Sequence, residues 1–311
     1  MATPTSAPRS AFWRNFGLIL GVNILWLPLS MLFNSLQSLV LPVFVLRFVA
    51  PTEKGTVLGL ILFVGLAAGA LIQPVVGSYS DRLPQGRWGR RQPVIAVGIA
   101  LTLAFLAGFA FAGSIWVLVV AYVGVTVAAG IAQAGFQGLL PDLMPASLRG
   151  GAAGLKGFLE LLGSVLGFSI AGILIKKGQP AAVVIAVGIL LVIGGLVSLA
   201  LVREGKRQRI QDARQEQPLS APPAGPISTL AQQAAQEQLP PPSGQGSSVS
   251  PFVRVMVSRF LFLLGVYGIG HFLLFYVRDR LHLGTGSGAS TTSALLTAFT
   301  IATALVALIG G

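Results

Sequence analysis

Cysteine is absent from these 311 residues, so the chain has no disulfide, no thiol chemistry and no cysteine-based metal site. Charge is scarce too. Only 10% of the residues are charged, against about 25% in a soluble domain. That leaves too little polar surface to cover a water-soluble globule. Acids are the rarest of the charges, with 9 Asp and Glu against 21 Lys and Arg, for a net charge of +12. The basic residues lie in short loops between apolar runs and form no stripe, which excludes a nucleic-acid partner. Loop charge of this kind is what membrane orientation produces. There is no nucleotide loop, no nucleophile–base pair and no metal-ligand cluster. Neither an enzyme nor a bound metal or cofactor is expected. The polar start, 1–10, leads straight into a long apolar run without a small-residue cleavage site, so a removable signal peptide is not expected.

What is present is apolar sequence in long runs, 54% of the residues by composition. Several runs exceed the ~20 residues a bilayer-spanning helix needs. Period-2 alternation, the mark of a membrane barrel, is missing. The expected class is therefore all-α membrane, a polytopic helical bundle. Eight spans are read, at 15–46, 55–79, 92–113, 115–140, 148–175, 181–202, 257–278 and 289–311. With the N-terminus placed in the cytoplasm, only Arg47, Lys54, Lys176, Lys177, Arg278 and Arg280 fall outside, leaving 15 of the 21 Lys and Arg inside. This orientation predicts a multi-pass protein of the cell (plasma or inner) membrane.

One loop carries a specific pattern. Residues 77–95 read GSYSDRLPQGRWGRRQPVI between the second and third spans. Gly77, Asp81, Arg82, Gly89, Arg90 and Arg91 resemble the G-x-x-x-D-R-x-G-R-R loop of the major facilitator superfamily. The insert LPQGRW before Gly89 resembles the glycoside–pentoside–hexuronide cation symporters and the sucrose transporters related to them. A second loop, PDLMPASLRGGAAG, carries Pro141, Asp142, Pro145, Arg149, Gly150 and Gly154. It resembles the connection between helices 4 and 5 of the same carriers. The resemblance implies that these loop residues, with Asp142 and Arg149 among them, gate the protein without touching solute. From the residues alone, Gly77 permits close backbone approach, and Asp81 can cap a helix or pair with Arg90 or Arg91.

Residues 203–250 begin basic, as REGKRQR, and then become rich in Pro, Gln, Ala, Ser and Gly. That composition cannot bury a core and predicts a disordered cytoplasmic linker. The expected domains are a six-helix half at 1–202, the linker at 203–250, and a partial second half at 251–311 with two helices. Six spans before a long linker is the layout of a carrier built from two six-helix halves. The simplest account is a fragment lacking the last four helices of a twelve-helix protein; the alternative is a true eight-span chain.

Polar residues inside spans are costly, so their placement carries information. Asn23, Ser30, Asn34 and Gln37 in the first span fall within about 60° of one another at 100° per residue. Tyr122, Thr126, Gln133 and Gln137 do the same in the fourth. Two such stripes point to an aqueous cavity lined by amides and hydroxyls, suited to a neutral polyhydroxylated solute; the alternative is hydrogen bonding between helices. The resembled fold lines its cavity with helices 1, 4 and 7. Asn34, Gln37, Tyr122, Gln133, Gln137 and His271 are the substrate-binding candidates. A packing role is the commoner one for a lone histidine such as His271, which sits between Tyr267 and Tyr276.

Glu160 is the one acid placed within a span, with Lys156 one turn earlier in position for an i,i+4 contact. It is either a proton or substrate site tuned by Lys156, or half of a structural ion pair. Sodium-coupled relatives use acids in helices 2 and 4. The second span here offers only Gln73 and the fourth no acid, which leaves proton coupling through Glu160, plain facilitation, or a coupling residue in the expected missing half. The Gly65-x-x-x-Gly69 and Gly163-x-x-x-Gly167 pairs need only close packing. The expected function is carriage of a small polar solute, a sugar or glycoside, by alternating access through the bilayer, with a proton as the candidate coupling ion. Drug or metabolite efflux, or a non-transporting assembly factor or sensor on the same scaffold, are the alternatives.

Overall fold

The computed structural model describes residues 13, 15–82, 91–144, 146–215 and 249–310. It is all-helical among those residues. The helices are α1 (Phe16–Gly21), α2 (Trp26–Ser35), α3 (Leu41–Phe48), α4 (Lys54–Arg82), α5 (Gln92–Ala110), α6 (Ile115–Gln137), α7 (Leu139–Leu143), α8 (Ala146–Lys176), α9 (Pro180–Gln215), α10 (Val249–Arg280) and α11 (Thr285–Gly310). Among the described residues, seven helices are long and apolar enough to cross a bilayer. The eighth expected span, 257–278, is helical within α10 but is not one of those seven.

The chain divides into two compact units, Met1–Lys206 with Gly270–Gly311, and Arg207–Ile269. The described part of the second is helix alone, the end of α9 and the start of α10. The first unit holds the core. In it α6 packs along both α4 and α5, and α8 packs along both α2 and α11. Small residues set these contacts. A Cβ on Gly98 would come within 2.4 Å of the Ala132 backbone, and one on Gly163 within 2.2 Å of the Leu27 carbonyl. Neither position tolerates a side chain without pushing helices apart. Gly65 and Gly69 likewise face Tyr122 and Thr126 across α4 and α6.

The first span departs from the uninterrupted helix expected at 15–46. It is broken by a turn at 22–25 and by a π-helical segment, Leu36–Val40. Each irregularity includes the residue four before a proline, Ile24 before Pro28 and Ser38 before Pro42. A proline has no N–H to donate to that carbonyl, and its ring collides with it. At the first break the Asn23 and Ile24 amides both reach back to the Leu20 carbonyl, at 3.0 and 2.8 Å. The Gly21 carbonyl accepts instead from Ser198 Oγ of α9 at 2.7 Å. At the second, the Leu41 amide bonds to the Leu36 carbonyl, five residues back.

Helix α9 also runs on past the bilayer-length segment to Gln215, so 203–215, expected as linker, is helical. Most of these residues, Gly205 and Asp212 apart, are good or fair helix formers, and the first proline comes only at 218. The rest of the expected linker, 216–248, lies outside the described residues.

Candidate functional site

The polar residues of the first span reach different partners, and a turn and a π segment interrupt the helix that carries them. They contact three different helices. Asn34 Nδ2 donates to the Ser30 carbonyl at 2.8 Å and to Ser164 Oγ of α8 at 3.0 Å. Ser30 Oγ donates to the Glu160 carbonyl at 2.8 Å and lies 3.0 Å from Ser164 Oγ. Asn34 is therefore bound into a polar knot between α2 and α8. Gly163 and Gly167 sit against the Leu27 and Met31 carbonyls on the same contact, close enough for the knot to form.

Three residues on, the π segment turns Gln37 and Ser38 to other partners. Gln37 is buried, and its amide is the side chain in reach of the Tyr122 hydroxyl on α6. Neither Gln37 Nε2 nor Tyr122 Oη has a hydrogen bond of good geometry, though both are shut away from solvent. Two buried polar atoms that pair only loosely with each other are costly to the fold. Ser38 Oγ lies 3.1 Å from His271 Nδ1 of α10, and both side chains are buried. The bent middle of the first span thus gathers Gln37, Ser38, Tyr122 and His271 from three chain segments.

The other candidates lie apart from this cluster. Gln133 accepts from Gln73 Nε2 of α4 at 3.1 Å. Gln137 is exposed at the end of α6, and Tyr276 is exposed on α10. Glu160 lies at the middle of the 31-residue α8, with its carboxylate 3.6 Å from Lys156 Nζ. Both side chains are a little over one-third exposed. The Lys156 ammonium also stands 3.9 Å from the centre of the Trp26 ring, a cation–π contact. Sequence reading missed Ser38 and Ser164, whose partners lie far along the chain, and the π segment that aims Ser38. Pro42 was the signal for that segment.

At the end of the bundle that carries the 77–95 loop, Arg91 joins both loop motifs. Its Nε donates to Asp142 Oδ2 at 2.7 Å and its Nη1 to Ser80 Oγ at 3.4 Å. The guanidinium is packed so close to Gly138 that a Cβ there would overlap it. Arg149 Nε donates to the Met144 carbonyl at 3.2 Å, closing the turn into α8. Arg82 is exposed at the end of α4. A Cβ at Gly77 would meet nothing within 4 Å, so the close backbone approach expected there is not made. Gly89, Arg90 and the side chain of Asp81 lie outside the described residues. At the opposite end, Lys54 of α4 forms an ion pair with Asp279 of α10 and faces the Phe275 ring.

Comparison with known proteins agrees with this layout. A solved structure, "Crystal structure of D-xylose-proton symporter", superposes with a TM-score of 0.55 at 16% identity, covering 96% of this chain and 68% of that one. At that identity the likeness is one of fold. The Major Facilitator Superfamily profile matches residues 11–311. With nearly the whole chain matched, this protein belongs to the Major Facilitator Superfamily, a family of membrane transporters and not of enzymes.

Proposed function

We propose that the chain carries a small neutral polyhydroxylated solute, a sugar or glycoside, by alternating access. The observation that supports this most is the gathering of Gln37, Ser38, Tyr122 and His271 at the π segment of the first span. Amides, hydroxyls and an imidazole offer both donors and acceptors with no fixed charge, as sugar hydroxyls require. The loosely paired Gln37 and Tyr122 supply two groups that gain better partners when solute enters. The described likeness to a D-xylose-proton symporter favours the same class of solute.

In this reading Asn34 and Gln133 hold the wall of the cavity in shape through Ser164 and Gln73, and Gln137 stands at its mouth. Glu160 is the proton-coupling residue. Its half-open position beside Lys156 lets a proton reach the carboxylate, and neutralising it frees Lys156 from the pair. The Arg91–Asp142 junction, with Asp81, Arg82, Gly89 and Arg90 of the same loop and Arg149, governs the end placed in the cytoplasm, where the N-terminus also lies. The cell membrane is the proposed location.

The test uses the protein from its complete reading frame in liposomes, with labelled xylose, glucose, sucrose and maltose. Saturable uptake that rises with an inward proton gradient and loses that dependence in Glu160→Gln supports proton-coupled carriage. Uptake indifferent to the gradient makes the protein a facilitator and returns Glu160 to a structural role. Absence of flux with any of the sugars rejects the sugar reading in favour of efflux or sensing.

A further inference from the structure

On the outside of the bundle, away from the polar cluster, α5 and α9 leave an open groove of about 220 Å³. That is below the ~300–1,000 Å³ of pockets that enclose a whole small ligand, and suits a slender chain lying along it. Ala96, Ile99, Ala100 and Leu103 of α5 face Leu196 and Leu199 of α9 across it. The neighbouring side chains Val97, Leu101, Ile193 and Val197 are exposed. Both helices are of membrane-crossing length and composition, so the groove opens towards acyl chains. A sugar or other polar solute finds too few partners in a lining made almost wholly of aliphatic side chains.

The polar exceptions are Ser198, whose hydroxyl is already committed to the Gly21 carbonyl, and Gln92, at the end of the groove next to the 77–95 loop. Gln92 is 4% exposed, and neither Nε2 nor Oε1 has a hydrogen-bond partner. An unpaired buried amide is costly, and more so at the edge of a bilayer. Its depth identifies what can pair with it. The bilayer-length helix Gln92–Ala110 has 19 residues, about 28 Å at 1.5 Å per residue, close to the ~30 Å hydrocarbon thickness. Gln92 therefore sits at the boundary between hydrocarbon and headgroup, the level of the glycerol esters of a phospholipid.

We propose that this groove is a binding site for a single glycerophospholipid. One acyl chain lies between α5 and α9, and its ester carbonyl accepts from Gln92 Nε2. The amide is covered in this structure, and rotation of the Gln92 side chain between staggered torsions turns it to the groove it already lines. Oε1 then faces the interfacial layer, where water and headgroup donors are available. The site is independent of what the protein transports.

Native mass spectrometry of the full-length protein, extracted in mild detergent from membranes of defined phospholipid composition, tests this. The wild type retains one phospholipid per chain. Ala100→Trp fills the groove from an exposed position and loses most of it. Gln92→Leu preserves the apolar groove and weakens retention about fivefold, the factor that one hydrogen bond contributes. Thermal unfolding of each variant checks that it folds. Two outcomes overturn the site: equal retention in wild type and folded Ala100→Trp, or retention unchanged in folded Gln92→Leu. A third is a wild-type dimer that Ala100→Trp converts to monomer with lipid content unchanged; the groove would then hold a second copy.

Discussion

Arg91 and Asp142 stand 51 positions apart and meet at 2.7 Å, the side chain of Arg91 largely buried and that of Asp142 about one-third exposed. The pair ties the start of α5 to the α6–α8 connection, so the two loop motifs form one structure. Both substitutions Arg91→Ala and Asp142→Ala are expected to cut transport roughly tenfold while leaving solute affinity within about twofold. A double-mutant cycle on thermal unfolding should give a coupling near 1 kcal/mol, the scale of a partly exposed pair. Additive single effects would show that the two motifs act separately.

Glycine substitutions separate packing from open surface. Gly163→Ala places a methyl 2.2 Å from the Leu27 carbonyl, where only backbone can yield. It should cost about 1–3 kcal/mol of stability. Gly150→Ala on the same helix meets nothing within 4 Å and should leave stability unchanged or slightly raised, since alanine favours helix. Thermal unfolding in detergent reads both.

The Ser38–His271 contact predicts that His271→Ala and Ser38→Ala each lose about 1 kcal/mol. The loss should not add in the double variant. His271→Asn keeps a polar group near Ser38 Oγ and is expected to retain more activity than His271→Ala. Equal activities of the two would place His271 in packing alone.

Lys54 and Asp279 join α4 to α10 at the end opposite the 77–95 loop. Lys54→Ala is expected to make that end more accessible. These 311 residues contribute no cysteine of their own, so a single cysteine introduced at the exposed Phe272 position reports labelling of this segment by a membrane-impermeant maleimide. Faster labelling in Lys54→Ala supports a latch. Unchanged labelling would limit the pair to a surface role.

Much of the fold was legible because the cost of placing polar backbone in lipid leaves long apolar runs only one conformation. Helix ends drifted by a few residues, as at Ala110 against 113, because hydropathy fades gradually where caps and turns decide the boundary. The site was harder to read. Projecting Asn34 and Gln37 at 100° per residue assumes an unbroken α-helix, and Gln37 lies inside the π segment. Pro28 and Pro42 announced both interruptions, but the partners Ser198 and His271 lie 177 and 233 positions away from the residues they meet. Periodicity within one helix carries no record of which neighbour it will face.

The interrupted first span behaves as three short rods in series with two knuckles. Ser198 of α9 grips one knuckle and His271 of α10 the other, while the middle rod is fastened to α8 through Ser30 and Asn34. In the proposed carrier, a shift of α10 would pull on the far knuckle while the Ser30–Asn34–Ser164 knot holds the middle rod to α8. The proposed solute contacts of Gln37 and Tyr122 would then change with helix position through a pivot that exists because Pro42 has no hydrogen to give.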